Sequence, residues 1–319
     1  MASAYDEAWL YCEAMLVNRR QAAQILFGGA VATVLAACQA SPAAAPAPPA
    51  NNPLIKPRAG TGELTPVRAN SELAVGRNRF AIGLIDASNQ PVTGGSVLVE
   101  FFKLGKNNAS LKRGKAPAVF RSVGAPNKGI WVADATFEDA GSWNARITLS
   151  EGDGDDNARS TEMNFEVVDK FSAPGYGDPA PRSVTPTNQD VGGDTSRICT
   201  NSPPCALHTL SLKRALDEGS KPLVVTFATP ALCTSALCAP ELQAVQELHT
   251  QYADKVNFVH VEIYQYPFDA TRPTPAVAEW RLPSDPWTFI VDKNGIVHDR
   301  FEGPAPSDEL EASLSSLLT

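Results

Sequence analysis

Between residues 71 and 169 apolar and polar side chains alternate with a period of two. The runs RFAIGLID (79–86), SVLVEFF (96–102), GIWVADATF (129–137), SWNARITL (142–149) and TEMNFEVV (161–168) are rich in β-branched and aromatic residues. Turn clusters such as NQPVTGG and EGDGDDNA separate them. This period sends successive side chains to opposite faces, so each run predicts a half-buried strand. Many short strands at this spacing predict an all-β sandwich.

Beyond residue 197 helical and extended patterns alternate. LHTLSLKRALDEG (207–219) reads as a helix stopped by glycine, and PLVVTFA (222–228) as a continuously apolar strand for a sheet covered on both faces. PELQAVQELHTQYAD (240–254) has proline near its start and Leu242, Val245, Leu248 and Tyr252 along one stripe. VNFVHVEIY (256–264) reads as a strand, and PWTFIVDKNGIVHDRFEG (286–303) as a hairpin about an Asp-Lys-Asn-Gly turn. A helix over about 307–318 closes the chain. The fold class expected is therefore multidomain, an all-β sandwich over 71–169 followed by an α/β domain over 197–319.

Two segments break these patterns. Residues 39–70 are rich in Pro and Ala and nearly free of large apolar side chains, so they cannot repay the entropy of ordering and read as a tether. A second Pro-rich stretch, 172–194, places a linker over 170–196. At the start, Arg19 and Arg20 precede an apolar stretch, 22–37, that is about half a dozen residues short of a membrane span. It ends in LAAC (35–38), which resembles the bacterial lipoprotein signal. That resemblance implies a signal segment over 1–38, lipid on Cys38 and a place on the extracytoplasmic face of a bacterial cell envelope. The acidic side chains before Met15 make a poor start for such a signal, so Met15 is the expected first residue.

With 43% hydrophobic and 19% charged residues, the 319-residue chain can bury ordinary cores. Its net charge of -8 gives no basic footprint and sets nucleic acid aside. The acidic run 151–156 does not read as a calcium loop, because Ala158 and Asn164 stand where glycine and glutamate are needed.

FEDAGSWNARI (137–147) resembles the aspartate-alanine-glycine-x-aromatic corner of immunoglobulin-like domains, with Trp143 in the aromatic slot. In residues 197–319 the order is strand, cysteine pair, helix, strand, a segment ending in proline, hairpin and helix. With Cys233 and Cys238 between strand and helix, APEL (239–242), DPWTFIVDKNG (285–295) and FEG (301–303), this stretch resembles the thioredoxin superfamily. The resemblance implies thiol-disulfide exchange with thiols or disulfides of exported proteins, Cys233 attacking and Cys238 resolving. It also implies a cis-proline at Pro286 beside the redox cysteine.

A helix N-terminus lowers the pKa of a thiol placed there, and Cys233 stands where that effect is available. Four residues separate the two cysteines, where thioredoxins keep two. On a regular helix that spacing is about 7.5 Å along the axis, outside disulfide range, so a bond requires Cys233 to precede the helix or the first turn to unwind. TPALCT (229–234) is also similar to the peroxiredoxin Q signature, which keeps a thiol peroxidase as an alternative. Cys199 and Cys205 precede the first helix of this domain. An exported domain with four cysteines most simply holds two disulfides, although three connectivities exist, and Cys199–Cys205 is the expected structural pair. If both pairs are inert, the domain is a binding module. Two thiolates and a histidine could hold copper, but His208, His249, His260 and His298 show no ligand-like spacing to one another, so no metal and no other cofactor is expected.

Overall fold

The computed structural model describes residues 64–105, 110–151, 158–234 and 237–318. The signal-like segment with Cys38, nearly all of the tether and the tip of the acidic loop lie outside the described residues.

Seven strands, β1 (Leu64–Arg68), β2 (Gly76–Asp86), β3 (Ser96–Leu104), β4 (Ser110–Val123), β5 (Ala125–Phe137), β6 (Gly141–Ser150) and β7 (Arg159–Val167), form one antiparallel sheet. Their order is β1-β2-β5-β4-β3-β6-β7. Phe80 of β2 meets Phe165 of β7 with ring centroids 5.4 Å apart, although five strand spacings, ~24 Å in a flat sheet, separate those strands. The sheet therefore folds over its own apolar face. Phe80, Ile82, Val99, Phe101, Phe137, Trp143 and Ile147 fill the space between its two halves, where no helix among the described residues covers them. A single folded sheet stands where two stacked sheets are expected of an immunoglobulin-like domain. Trp143 is fully buried at the corner after β5, and its Nε1 donates to the Asp139 carbonyl at 2.9 Å.

The five alternating runs are β2, β3, β5, β6 and β7; β1 and β4 are additions. β4 hides from pattern reading because its inward positions include the small Ala116 and Ala118, while Lys115, Pro117 and Val119 face outward.

The second sheet holds β8 (Leu223–Ala228), β9 (Asn257–Glu262), β10 (Trp287–Val291) and β11 (Val297–Glu302) in the order β11-β10-β8-β9. β8 and β9 are parallel, and the other pairs are antiparallel. Every residue of β8 is buried because the sheet is covered on both faces. Val225 and Phe227 pack with α1 (Leu212–Glu218) and α3 (Pro275–Glu279). On the opposite face Val224 packs with α2 (Cys238–Tyr252) and α4 (Ser307–Ser315). The parallel β8–β9 pair needs a crossover, which α2 supplies. The hairpin turn forms where expected, with Gly295 at φ +82° and Asp292 Oδ1 accepting from the amides of Asn294 and Ile296.

α1 begins later than its pattern suggests. Ser211 caps it by accepting from the Arg214 amide, and Gly219 ends it in the left-handed conformation. Leu207 and His208 therefore stay in the preceding loop, where the Leu207 carbonyl accepts from the amide of His260 on β9. The stretch read as a linker is also packed. The Gly177 amide donates to the Val297 carbonyl and the Val297 amide to the Asp178 carbonyl, which covers the edge of β11, and the Ser183 carbonyl accepts from the Lys213 amide.

The outer face of β2 and β4 docks on the second sheet's layer. Arg79, 7% exposed, makes a two-pronged pair with Glu309 of α4 at 2.8 Å and donates to the carbonyls of Glu302 and Pro304. Arg77 pairs with Asp299, and Arg121 with Asp308. Among the described residues no helix is long and apolar enough to cross a membrane.

Candidate redox site and a second cysteine cluster

Cys233 lies in the loop that leaves the carboxyl end of β8, and Cys238 is the first residue of α2. The cysteine spacing is thus reconciled with close approach by keeping Cys233 outside the helix. The Cys238 backbone N–H donates to Cys233 Sγ at 3.3 Å. Cys233 is half-buried, whereas Cys238 is fully buried. Such exposure suits an attacking sulfur at the surface and a resolving one beneath it. The Cys238 thiol is pushed up strongly, first by its hydrogen bond to the Cys233 sulfur and then by burial.

Asp285 completes the group. A carboxylate oxygen of Asp285 and the two sulfurs all lie within 4.8 Å of one another. Burial, followed by the nearby charge of Cys233, pushes its carboxyl up to about 6, and a hydrogen bond with Cys238 works the other way. A carboxylate that titrates near neutrality, in contact with a thiol that must ionise, has the chemistry of a general base. Sequence reasoning passes over Asp285 and singles out its neighbour. The Asp285–Pro286 bond is cis.

On the inner face of α2, Glu241 is completely buried, accepting from Thr288 Oγ1 at 2.6 Å and from the Ala305 amide at 2.7 Å. Burial pushes its carboxyl up to about 7, against those hydrogen bonds and the charge of Arg79.

Cys199 and Cys205 come together in the loop before α1. Both are free, buried thiols with sulfurs 3.8 Å apart. Two histidines join them: His260 Nδ1 lies 3.7 Å from Cys199 Sγ, 3.4 Å from Cys205 Sγ and 3.1 Å from His208 Nε2. The Cys199 thiol is held down by the Cys205 hydrogen bond, opposed by burial and helped by both histidines, while the Cys205 thiol is pushed up by the same pair interaction. The spacing between Cys205 and His208, two residues, is a signal that reading histidine against histidine misses. His260 carries no such signal, because β9 brings it from 52 residues beyond His208. His249 rests against Phe258, and His298 bonds Ser316 Oγ.

The loop of the second cluster touches that of the first. Thr200 donates twice to Glu262 and accepts the Ala231 amide at 3.2 Å. A cleft of about 400 Å³ lies elsewhere, between β2, β4 and α4. Of its arginines, Arg77, Arg79 and Arg121 are already paired with Asp299, Glu309 and Asp308, and Arg300 donates to the carbonyls of Ala173 and Pro174, so we place the chemistry at the cysteines instead.

No protein-family model matches the chain. Over 108 residues it is 30% identical to Thioredoxin Y, chloroplastic, of Oryza sativa subsp. japonica, an overlap of 34% of this chain and 58% of that protein. The chain thus spans less than two thirds of that relative. Among solved structures it is similar to a protein assigned as the thiol:disulfide interchange protein DsbE from Chlorobium tepidum, at 16% identity and a TM-score of 0.33, covering 46% of this chain and 100% of that one. A thioredoxin-family thiol:disulfide interchange protein from Chlorobium tepidum TLS matches at 16% identity and a TM-score of 0.32, with the same coverage. A thioredoxin thus matches part of this chain.

Proposed function

We propose that residues 197–319 form a thioredoxin-like α/β domain that exchanges thiols and disulfides with protein partners. The observation that carries this reading is the Cys238 amide aimed at Cys233 Sγ at the mouth of α2. A donor at a helix N-terminus favours a negative sulfur, and the thiolate is the attacking form. The likeness to Thioredoxin Y points the same way.

In the reducing direction the Cys233 thiolate attacks one sulfur of a partner disulfide. The partner's S–S bond breaks, a mixed disulfide forms, and the partner's released thiolate takes a proton from water. Asp285 then accepts the Cys238 proton, and the new thiolate attacks Cys233 Sγ. The second partner sulfur leaves as a thiolate, and a Cys233–Cys238 disulfide remains. Two electrons have passed to the partner, and the reverse sequence oxidises it. Pro286 would flank the bound partner segment.

The rest of the chain serves this chemistry by location. A lipid on Cys38 and the tether 39–70 would hold the folded part at the extracytoplasmic face of a bacterial cell envelope, where the partners are exported proteins. Residues 71–169, the folded sheet, are then a spacer, and 170–196 its connection to the redox domain.

A Cys238→Ser variant tests the reading. It should accumulate partner proteins as mixed disulfides on Cys233 that dithiothreitol releases, and Cys233→Ser should accumulate none. Absence of reducible adducts on Cys238→Ser, with unchanged disulfide exchange in Cys233→Ser, would overturn it.

A further inference from the structure

The geometry points to a structural tetrahedral metal site, of the zinc class, formed by Cys199, Cys205, His208 and His260. It is independent of the exchange chemistry proposed for Cys233.

Distances carry the assignment. With metal–sulfur bonds of ~2.3 Å and metal–nitrogen bonds of ~2.05 Å, a tetrahedron has edges of about 3.8 Å between sulfurs, about 3.6 Å between sulfur and nitrogen, and about 3.3 Å between nitrogens. Four of the six edges are 3.8 Å between the sulfurs, 3.7 and 3.4 Å from the sulfurs to His260 Nδ1, and 3.1 Å between the imidazole nitrogens, and the two from the sulfurs to His208 are within 4.8 Å. All four ligand atoms lie within 4.8 Å of one another.

The hydrogen bonding around the group is that of ligands. His260 Nε2 faces the Ala228 carbonyl oxygen at 3.0 Å, and since a carbonyl only accepts, that nitrogen carries the ring proton. Nδ1 is left with a single lone pair, and the three other groups of the cluster converge on it. One lone pair cannot serve three hydrogen-bond donors, but a cation among the four atoms uses a lone pair from each. A backbone carbonyl that fixes the far nitrogen of a ligating histidine is the usual outer-shell arrangement. The Cys205 amide meanwhile donates to Cys199 Sγ at 3.4 Å, which favours a thiolate there.

All four side chains are at most 5% exposed. Four protein ligands in a closed pocket leave no open position for water or substrate, so the site is structural rather than catalytic. Two thiolates with two imidazoles select a borderline-soft ion over calcium or magnesium. The bound ion would pin the 199–208 loop to β9. Through Thr200 and the Ala231 amide it would also brace the loop that carries Cys233.

The test is a cobalt(II) titration of the reduced, full-length protein under anaerobic conditions, followed by displacement with zinc. One equivalent of cobalt should give the intense visible bands of a tetrahedral ion with sulfur-to-metal charge transfer, and one equivalent of zinc should abolish them. The spectrum should persist in the Cys233→Ser/Cys238→Ser double variant and disappear in His208→Ala and in Cys205→Ser. Circular dichroism verifies that the variants are folded, and titration of the unmodified protein is decisive even if they are not. A reduced wild-type protein with no tetrahedral cobalt spectrum overturns the assignment. So does a Cys199–Cys205 disulfide whose reduction leaves no metal uptake, or a spectrum lost with Cys233 and Cys238 but kept in His208→Ala.

Discussion

The backbone amide of Cys238 donates to the sulfur of Cys233 at 3.3 Å, although the two residues are five apart in sequence. The contact exists because α2 starts at Cys238 and leaves Cys233 in the loop, so the helical rise does not separate them. Asp285 approaches both sulfurs from the segment before β10, which places an acid, an attacking sulfur and a resolving sulfur at one end of the sheet.

The role given to Asp285 predicts a pH profile. Its carboxyl is pushed up to about 6 by burial and then by the charge of Cys233, and it serves as a base only when ionised. In the mixed disulfide that charge is gone while burial, the larger cause, remains, so resolution should accelerate as pH rises toward about 6 and level off above. Asp285→Asn should remove that acidic limb and slow resolution by ~10² or more, the usual contribution of a positioned base. Stopped-flow measurement over a pH series checks both effects, and a variant that keeps the limb would assign it to another group.

Arg79 locks the folded sheet to α4. Its pair with Glu309 is largely shielded from water, the side chains being 7% and 11% exposed, so removing Arg79 leaves Glu309 only the longer 3.8 Å contact with Arg121. Arg79→Ala should cost about 3–5 kcal/mol of stability in urea unfolding. Arg79→Met with Glu309→Leu should recover most of that loss, because no buried charge is left alone.

Glu241 should make stability depend on pH. Its carboxyl is pushed up to about 7 from an ordinary value of 4.5, burial being the main cause. Between those values the folded protein keeps the proton and the unfolded chain releases it, so stability falls as pH rises through this window. The stabilisation is fully present below the lower value and lost above the upper one, a change on the order of 3 kcal/mol. Glu241→Gln keeps the shape and an acceptor for the Ala305 amide but cannot titrate, and should flatten the dependence. Urea unfolding at a series of pH values reads this directly; an equal slope in the variant would place its origin elsewhere.

Much of this architecture is legible in the chain because local patterns carry it. Alternation locates the five apolar strands, continuous burial locates β8, and the stripe of Leu242, Val245 and Leu248 locates α2. The helical-rise argument leaves two ways for the cysteines to meet, Cys233 before the helix or an unwound first turn, and α2 beginning at Cys238 is the first of them. What escapes depends on contacts distant in sequence or on weak alternation. The inward alanines of β4 give no period, and Ser211 capping α1 leaves His208 outside a helix that its sequence could have joined. His260 looks like an ordinary strand residue until β9 brings it against His208 and two cysteines. The folding of one sheet over itself is set by Phe80 meeting Phe165, 85 residues later, which no local window contains.

The reduction potential of the Cys233–Cys238 couple tests the central claim most directly. The protein would be equilibrated in glutathione redox buffers and the two cysteines scored by alkylation and mass spectrometry. A working couple should lie between about -270 and about -120 mV, whereas a potential below about -300 mV would mark an inert bridge and contradict thiol-disulfide exchange at this site.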